Sequence, residues 1–187
     1  MANEDRPLAR DDMAPCIGCG LCCDGTIFAK AIVTPGEEAR LLEHGLELVT
    51  RSEQTFFLQP CRYASCGQCT NYQDRFDICR SFRCDLLKRY QAGGIDLAEA
   101  RAMVETALGL VAAVKADDAR AGLYSQRRAL RGQLAERMKG ASAEERPRLA
   151  RRLLNMVALD AFLDSRFRRK KKAPDEADDS TQSNSPD

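Results

Sequence analysis

Apolar positions along the chain change their rhythm once, at Gly93-Gly94. Ahead of that pair they come in short clusters. Ile27, Phe28, Ile32 and Val33 suit a short strand. Thr34 can cap a helix with Pro35 at its first position and Glu37 completing a capping box, and Gly45 stops it after Leu41, Leu42 and His44. Residues 46–49 and 55–58 read as two strands of a hairpin ending at Pro60, and residues 85–91 as a short helix. Beyond the glycine pair the spacing is helical throughout. Asp96 and Glu99 cap a helix running to about Lys115, rich in Ala, Leu and Val. A second helix over 123–138 carries Leu123, Leu130 and Leu134 on one face. Ser142 and Glu145 cap a third, in which Leu149, Leu153, Met156, Val157 and Leu163 recur at helical spacing. No internal repeat of fixed period is visible.

This pattern predicts an α+β fold, mostly helical. A small cysteine-knuckle metal domain with short strands occupies 16–92, and a helical segment occupies 95–165. Residues 1–15 are expected to be disordered, as is a tail over 166–187 that is first basic and then acidic. A cysteine domain of roughly 75 residues is marginal by itself, so bound metal would supply much of its folding free energy. The longest apolar stretch, residues 107–114, is far short of a membrane span, and residues 1–15 hold no apolar signal-peptide core. A cytoplasmic protein with no membrane partner is expected. Charge divides sharply within the formal total of +1: residues 120–172 carry 16 Lys/Arg against 5 Asp/Glu, a net +11, and residues 173–187 carry five acids and no base.

The cysteines narrow the chemistry. All nine lie between Cys16 and Cys84. A reducing cytosol disfavours a disulfide framework, and an odd count leaves one thiol over, so metal is the better reading. Cys16-Ile-Gly-Cys19-Gly-Leu-Cys22-Cys23 has the C-x2-C-x2-C spacing that opens ferredoxin iron–sulfur signatures, whereas zinc sites more often use separated C-x2-C pairs. Adjacent side chains point differently, so Cys22 and Cys23 serve either two centres or a ligand and a supporting thiol. Cys61, Cys66, Cys69, Cys79 and Cys84 form the second group. An all-sulfur donor set selects zinc, iron–sulfur or copper(I) over magnesium or calcium. His44, the single histidine, lies far from every cysteine in sequence and reads as a helix C-terminal cation rather than a ligand. Arg75, Arg80 and Arg83 are placed to offset thiolate charge, and Phe82 to exclude water.

Taken together, Cys16-x-x-Cys19-Gly-x-Cys22-Cys23, Thr34-Pro35-x-Glu37-Glu38 and Cys69-x-x-Tyr72-x-x-Arg75-x-x-x-Cys79-Arg80-x-Phe82-x-Cys84 resemble the YkgJ-type cysteine-cluster family. That family carries a zinc- or iron-chelating domain, and the resemblance spans residues 16–92. It implies that Cys16, Cys19, Cys22, Cys23, Cys61, Cys69, Cys79 and Cys84 are the metal residues. Two departures stand out: Phe76 follows Arg75 where family members usually have proline, and Cys66 lies outside the usual eight.

The expected function is binding of zinc or iron, as an ion or an iron–sulfur cluster, in a structural or redox and sensing role. No catalytic residue is assigned. One alternative is a cluster-dependent enzyme, because the family includes a flagellin lysine-methylating branch, although no Gly-rich nucleotide fingerprint is present. Another is an adaptor whose basic C-terminal helices meet nucleic acid, the ribosome or a protein partner.

Overall fold

The computed structural model describes residues 10–168. It is an α+β fold, mostly helical. Residues 10–15, expected to lack structure, belong to a 3-10 helix over Arg10–Cys16. That turn is held from outside, since Gln91 donates to the Asp12 carbonyl at 3.3 Å. The tail expected to be disordered from residue 166 begins later: Arg166 ends the last helix, Phe167 is buried beside it, and Arg168 donates to the Ile27 carbonyl. Residues 1–9, and the tail from Arg169 onward, lie outside the described residues.

Three strands follow as a small antiparallel sheet in the order β1-β3-β2, with β1 at Lys30–Ile32, β2 at Leu48–Arg51 and β3 at Gln54–Leu58. The expected hairpin is present, with Thr50 opposite Thr55 and Arg51 opposite Gln54. Helix α1 spans Glu38–Glu43 and starts later than the capping-box reading placed it. Glu37 makes no cap to its own helix, because its carboxylate is drawn into a long-range contact described below. A two-stranded ribbon, β4 at Ala64–Ser65 and β5 at Gln68–Cys69, leads to two short helices, α2 at Asp77–Ser81 and α3 at Asp85–Gln91. Ala31, Val33, Leu41, Leu46, Phe57 and Phe76 form the core of this half.

The second half is built of three long helices. In α4, Leu97–Lys115, the capping box closes as expected: Glu99 N donates to Asp96 Oδ1 at 2.8 Å, and Asp96 N to Glu99 Oε2 at 2.9 Å. Its buried residues, Ala100, Val104, Ala107, Val111 and Val114, alternate by four and three, one continuous stripe. Helices α5, Tyr124–Lys139, and α6, Arg146–Arg166, complete the bundle, with α6 packed along both α4 and α5. On α6, Leu149, Met156, Leu159 and Leu163 face inward, while Val157, expected on that face, is 47% exposed. One residue beyond Met156 turns about 100° around a helix and leaves the stripe.

Leu21, Ile27 and Leu86, which precede Gly93-Gly94, are buried in one cluster with α4 and α6. Arg127, 1% exposed, ties the same halves together by polar contacts. It donates to the carbonyls of Thr26 and Gly122, both at 2.5 Å, and to Asp160 Oδ1 at 2.9 Å. Burial pushes its guanidinium below the ordinary value, and the Asp160 carboxylate works against that shift. Arg131 and Arg168 also reach Asp160, at 2.8 and 3.3 Å. Arg168 donates further to the Ile27 carbonyl at 2.9 Å. The loop leaving the first cysteine group is thereby fastened to the helical bundle.

Candidate metal centre

Each cysteine stretch is shaped by backbone geometry. The loop after Cys16 folds back on itself, with Cys19 N donating to the Cys16 carbonyl at 3.2 Å, and Cys23 N and Asp24 N both donating to the Gly20 carbonyl. Leu21, fully buried, plugs this loop into the helical core, and Ile27 N closes it on the Leu21 carbonyl at 3.0 Å.

The second stretch is brought against the first by main chain. Cys61 N donates to the Cys23 carbonyl at 2.8 Å. The β4–β5 ribbon then places Cys69 opposite Ala64. Its tip presses on the first loop so closely that a Cβ on Gly20 would stand 2.6 Å from the Gly67 Cα. Both positions have positive φ as well, +63° and +75°, so each needs glycine for two reasons.

Cys79 lies in α2, whose Asp77 N–H is accepted by Glu37 Oε1 at 2.8 Å. Glu37 is thus a cap between elements 40 residues apart, and Arg40 holds it from the other side at 3.0 Å. Cys84 is the N-cap of α3, its Sγ accepting from Leu87 N at 3.5 Å.

All nine cysteines are free thiols, and eight are partly buried. Burial is the largest influence on seven of them and pushes each upward: Cys16 and Cys23 to about 12, Cys19 and Cys79 to about 11, and Cys22, Cys61 and Cys84 also upward. Neighbouring thiolates add to it. Cys84 and Cys19 act on Cys16, and Cys79, Cys69 and Cys61 act on Cys23. Arginine opposes it: Arg83 and Arg75 at Cys16, Arg75 at Cys79, and Arg62 at Cys61.

The expected arginines therefore divide. Arg75 stacks on the Tyr72 ring at 3.8 Å and acts on thiols of both stretches. Arg80 instead spends its guanidinium on the carbonyls of Arg75 and Gln73, at 2.6 and 3.3 Å. Phe82 packs edge-on against Phe28, centroids 5.1 Å apart. His44 has both ring nitrogens occupied, Nδ1 with the Tyr63 hydroxyl at 3.0 Å and Nε2 with Asp74 at 3.4 Å, and its ring meets Phe76 edge-on. Phe76, the departure from the proline of the resembling family, is a core residue of the sheet half. Cys66 is exposed at the turn between β4 and β5.

Sequence reasoning passed over Arg62 and the long-range role of Glu37. Arg62 adjoins a cysteine, a signal that was available, whereas the Glu37 contact depends on tertiary folding. Among the described residues, no three Cys, His, Asp or Glu side chains are drawn together tightly enough to hold a metal ion as they stand. Burial and mutual repulsion push Cys16, Cys19, Cys22, Cys23, Cys61, Cys79 and Cys84 upward, so metal binding at these thiols would release protons. No helix among the described residues is long and apolar enough to cross a membrane. No family model, curated protein or solved structure matches the chain.

Proposed function

We propose that this chain is a metal-binding protein of the YkgJ type, holding zinc or iron through Cys16, Cys19, Cys22, Cys23, Cys61, Cys69, Cys79 and Cys84. The supporting observation is convergence. Main chain joins the two stretches where Cys61 N meets the Cys23 carbonyl at 2.8 Å, and Cys16 and Cys84, 68 residues apart, lie near enough that ionising one opposes ionising the other. Cysteines buried merely as small hydrophobes have no need of each other, whereas soft cations need several sulfurs together. Nearby Arg62, Arg75 and Arg83 suit a site that becomes anionic when its thiols ionise. Bound zinc would brace the fold, and iron would add electron transfer or sensing. In either case the protein's part is to supply thiolates, exclude water and balance charge.

The test is metal content with an absorption spectrum on anaerobically purified full chain. Stoichiometric zinc in a colourless protein, or iron with broad visible absorption, supports the reading. A protein that carries neither, and takes up neither when offered, overturns it.

A second reading, an adaptor for nucleic acid, draws on a surface recess between α5 and α6 that Arg137, Arg148 and Arg152 line together with Glu144 and Glu145. Binding of RNA that persists at moderate salt would support it, and loss at modest salt would reduce it to unspecific charge attraction.

A further inference from the structure

We infer that the eight thiols form two separate four-cysteine sites, Cys16, Cys19, Cys22 and Cys84 on the helical core, and Cys23, Cys61, Cys69 and Cys79 on the sheet core. The division rests on the metal-binding reading above and adds which thiols act together.

Two kinds of observation divide the set: packing sorts five of the thiols, and the backbone sorts the other three. The first is packing. Cys19, Cys22 and Cys84 lie against the cluster built from Leu21, Leu86 and helices α4 and α6. Cys61 and Cys79 lie against the other cluster, around Phe57 and Phe76.

The second is the backbone. Cys16 and Cys19 share a turn, through Cys19 N and the Cys16 carbonyl. Cys61 is bonded instead to the Cys23 carbonyl, and the ribbon that begins at Ala64 returns Cys69 to its side.

The Cys22-Cys23 doublet is the seam between the two sites, Cys22 packed on the helical core and the Cys23 carbonyl bonded by Cys61. Charge fits the same plan. Four thiolates around a divalent ion leave negative charge in excess. Arg83 adjoins Cys84 of the first site, and Arg62 adjoins Cys61 of the second.

The experiment uses the reduced full chain titrated with zinc, read by native mass spectrometry and by alkylation mapping of each cysteine. The wild-type chain should take two zinc ions. Cys84→Ser should take one, because the hydroxyl can keep the α3 cap while the thiolate is lost. In that variant Cys16, Cys19 and Cys22 should become open to alkylation together, while Cys23, Cys61, Cys69 and Cys79 stay protected. Cys79→Ser should give the reverse pattern, and Cys66→Ser should still take two ions. Protection of the untouched set also shows that each variant is folded. If either variant loses both ions, or if exposure crosses between the sets, the division is overturned and metal binding stands. If the wild-type chain takes no zinc and no iron, the metal-binding reading fails first and the division with it.

Discussion

Replacing Gly20 with alanine tests the contact that joins the two cysteine stretches. Gly20 has φ +63°, and its Cβ would lie 2.6 Å from the Gly67 Cα and 2.9 Å from the Gly67 carbonyl carbon. Those are backbone atoms, so no side chain can rotate aside. Ordinary contact begins at 3.4 Å, and the loop and the ribbon must separate by about 0.8 Å to reach it. Alanine in the left-handed region costs about 1–2 kcal/mol, partly offset by the reduced freedom of the unfolded chain. Forcing packed segments apart adds about 1–3 kcal/mol. The expected loss is about 3 kcal/mol in all.

Gly18 supplies the control. It sits in the same loop at φ +83°, and a Cβ there meets nothing within 4 Å. Gly18→Ala should therefore show the backbone term alone, about 1 kcal/mol. Urea unfolding of the metal-free, reduced chains gives both values. Equal losses in the two variants would refute the argument that the Gly20–Gly67 approach holds the stretches together.

Further outcomes follow from the same structure. Asp160→Asn leaves Arg127 buried beside Arg131 and Arg168 without its carboxylate, and should cost about 3–5 kcal/mol in thermal unfolding; a loss under about 1 kcal/mol would mean the cluster does not bind the halves together. Cys84→Ala should destabilise the metal-free chain by about 1 kcal/mol relative to Cys84→Ser, since only serine can still cap α3; equal urea midpoints would deny the cap. The metal-free chain should keep its stability up to about pH 8.5, where unfolded thiols begin to ionise, and lose it as pH rises towards the folded values of about 11 and 12 at Cys19 and Cys16. Those values are raised, so the unfolded chain gives up its protons first and alkali favours it. A urea midpoint that climbs between about pH 9 and 11 would contradict this. Loaded protein should behave oppositely in acid, shedding metal as its ligands regain protons, which a zinc-sensitive dye can follow.

The joining of the two halves bears on how metal would act. Leu21 sits in the helical core, within the loop that carries Cys16, Cys19, Cys22 and Cys23. Arg127 and Arg168 grip the Thr26 and Ile27 carbonyls just beyond it. Any change in the loop on metal loading would therefore reach the helical bundle through these contacts rather than through a loose linker. The glycine pair at 93–94 marks a change of secondary structure, yet the apolar core runs on both sides of it.

Local chemistry determined a good deal of this protein directly. The Asp96–Glu99 box, the hairpin after residue 46 and the short helix after Cys84 depend on residues within a few positions of one another, so they were legible in the chain. The stripe on α4 was too, because a helical period needs no partner to be seen. The crowding of thiols likewise marked out the candidate site. Tertiary structure decided what local rules cannot reach. Glu37 had the right spacing to cap its own helix, but a buried carboxylate goes where a donor is available, and Asp77 N–H lay 40 residues on. Val157 had the right residue type for the core but the wrong angle around α6. Which thiols stand beside which depends on main-chain contacts such as Cys23 with Cys61 and Gly20 with Gly67. Spacing alone carries no information about such contacts, since they form only when the two cores have packed.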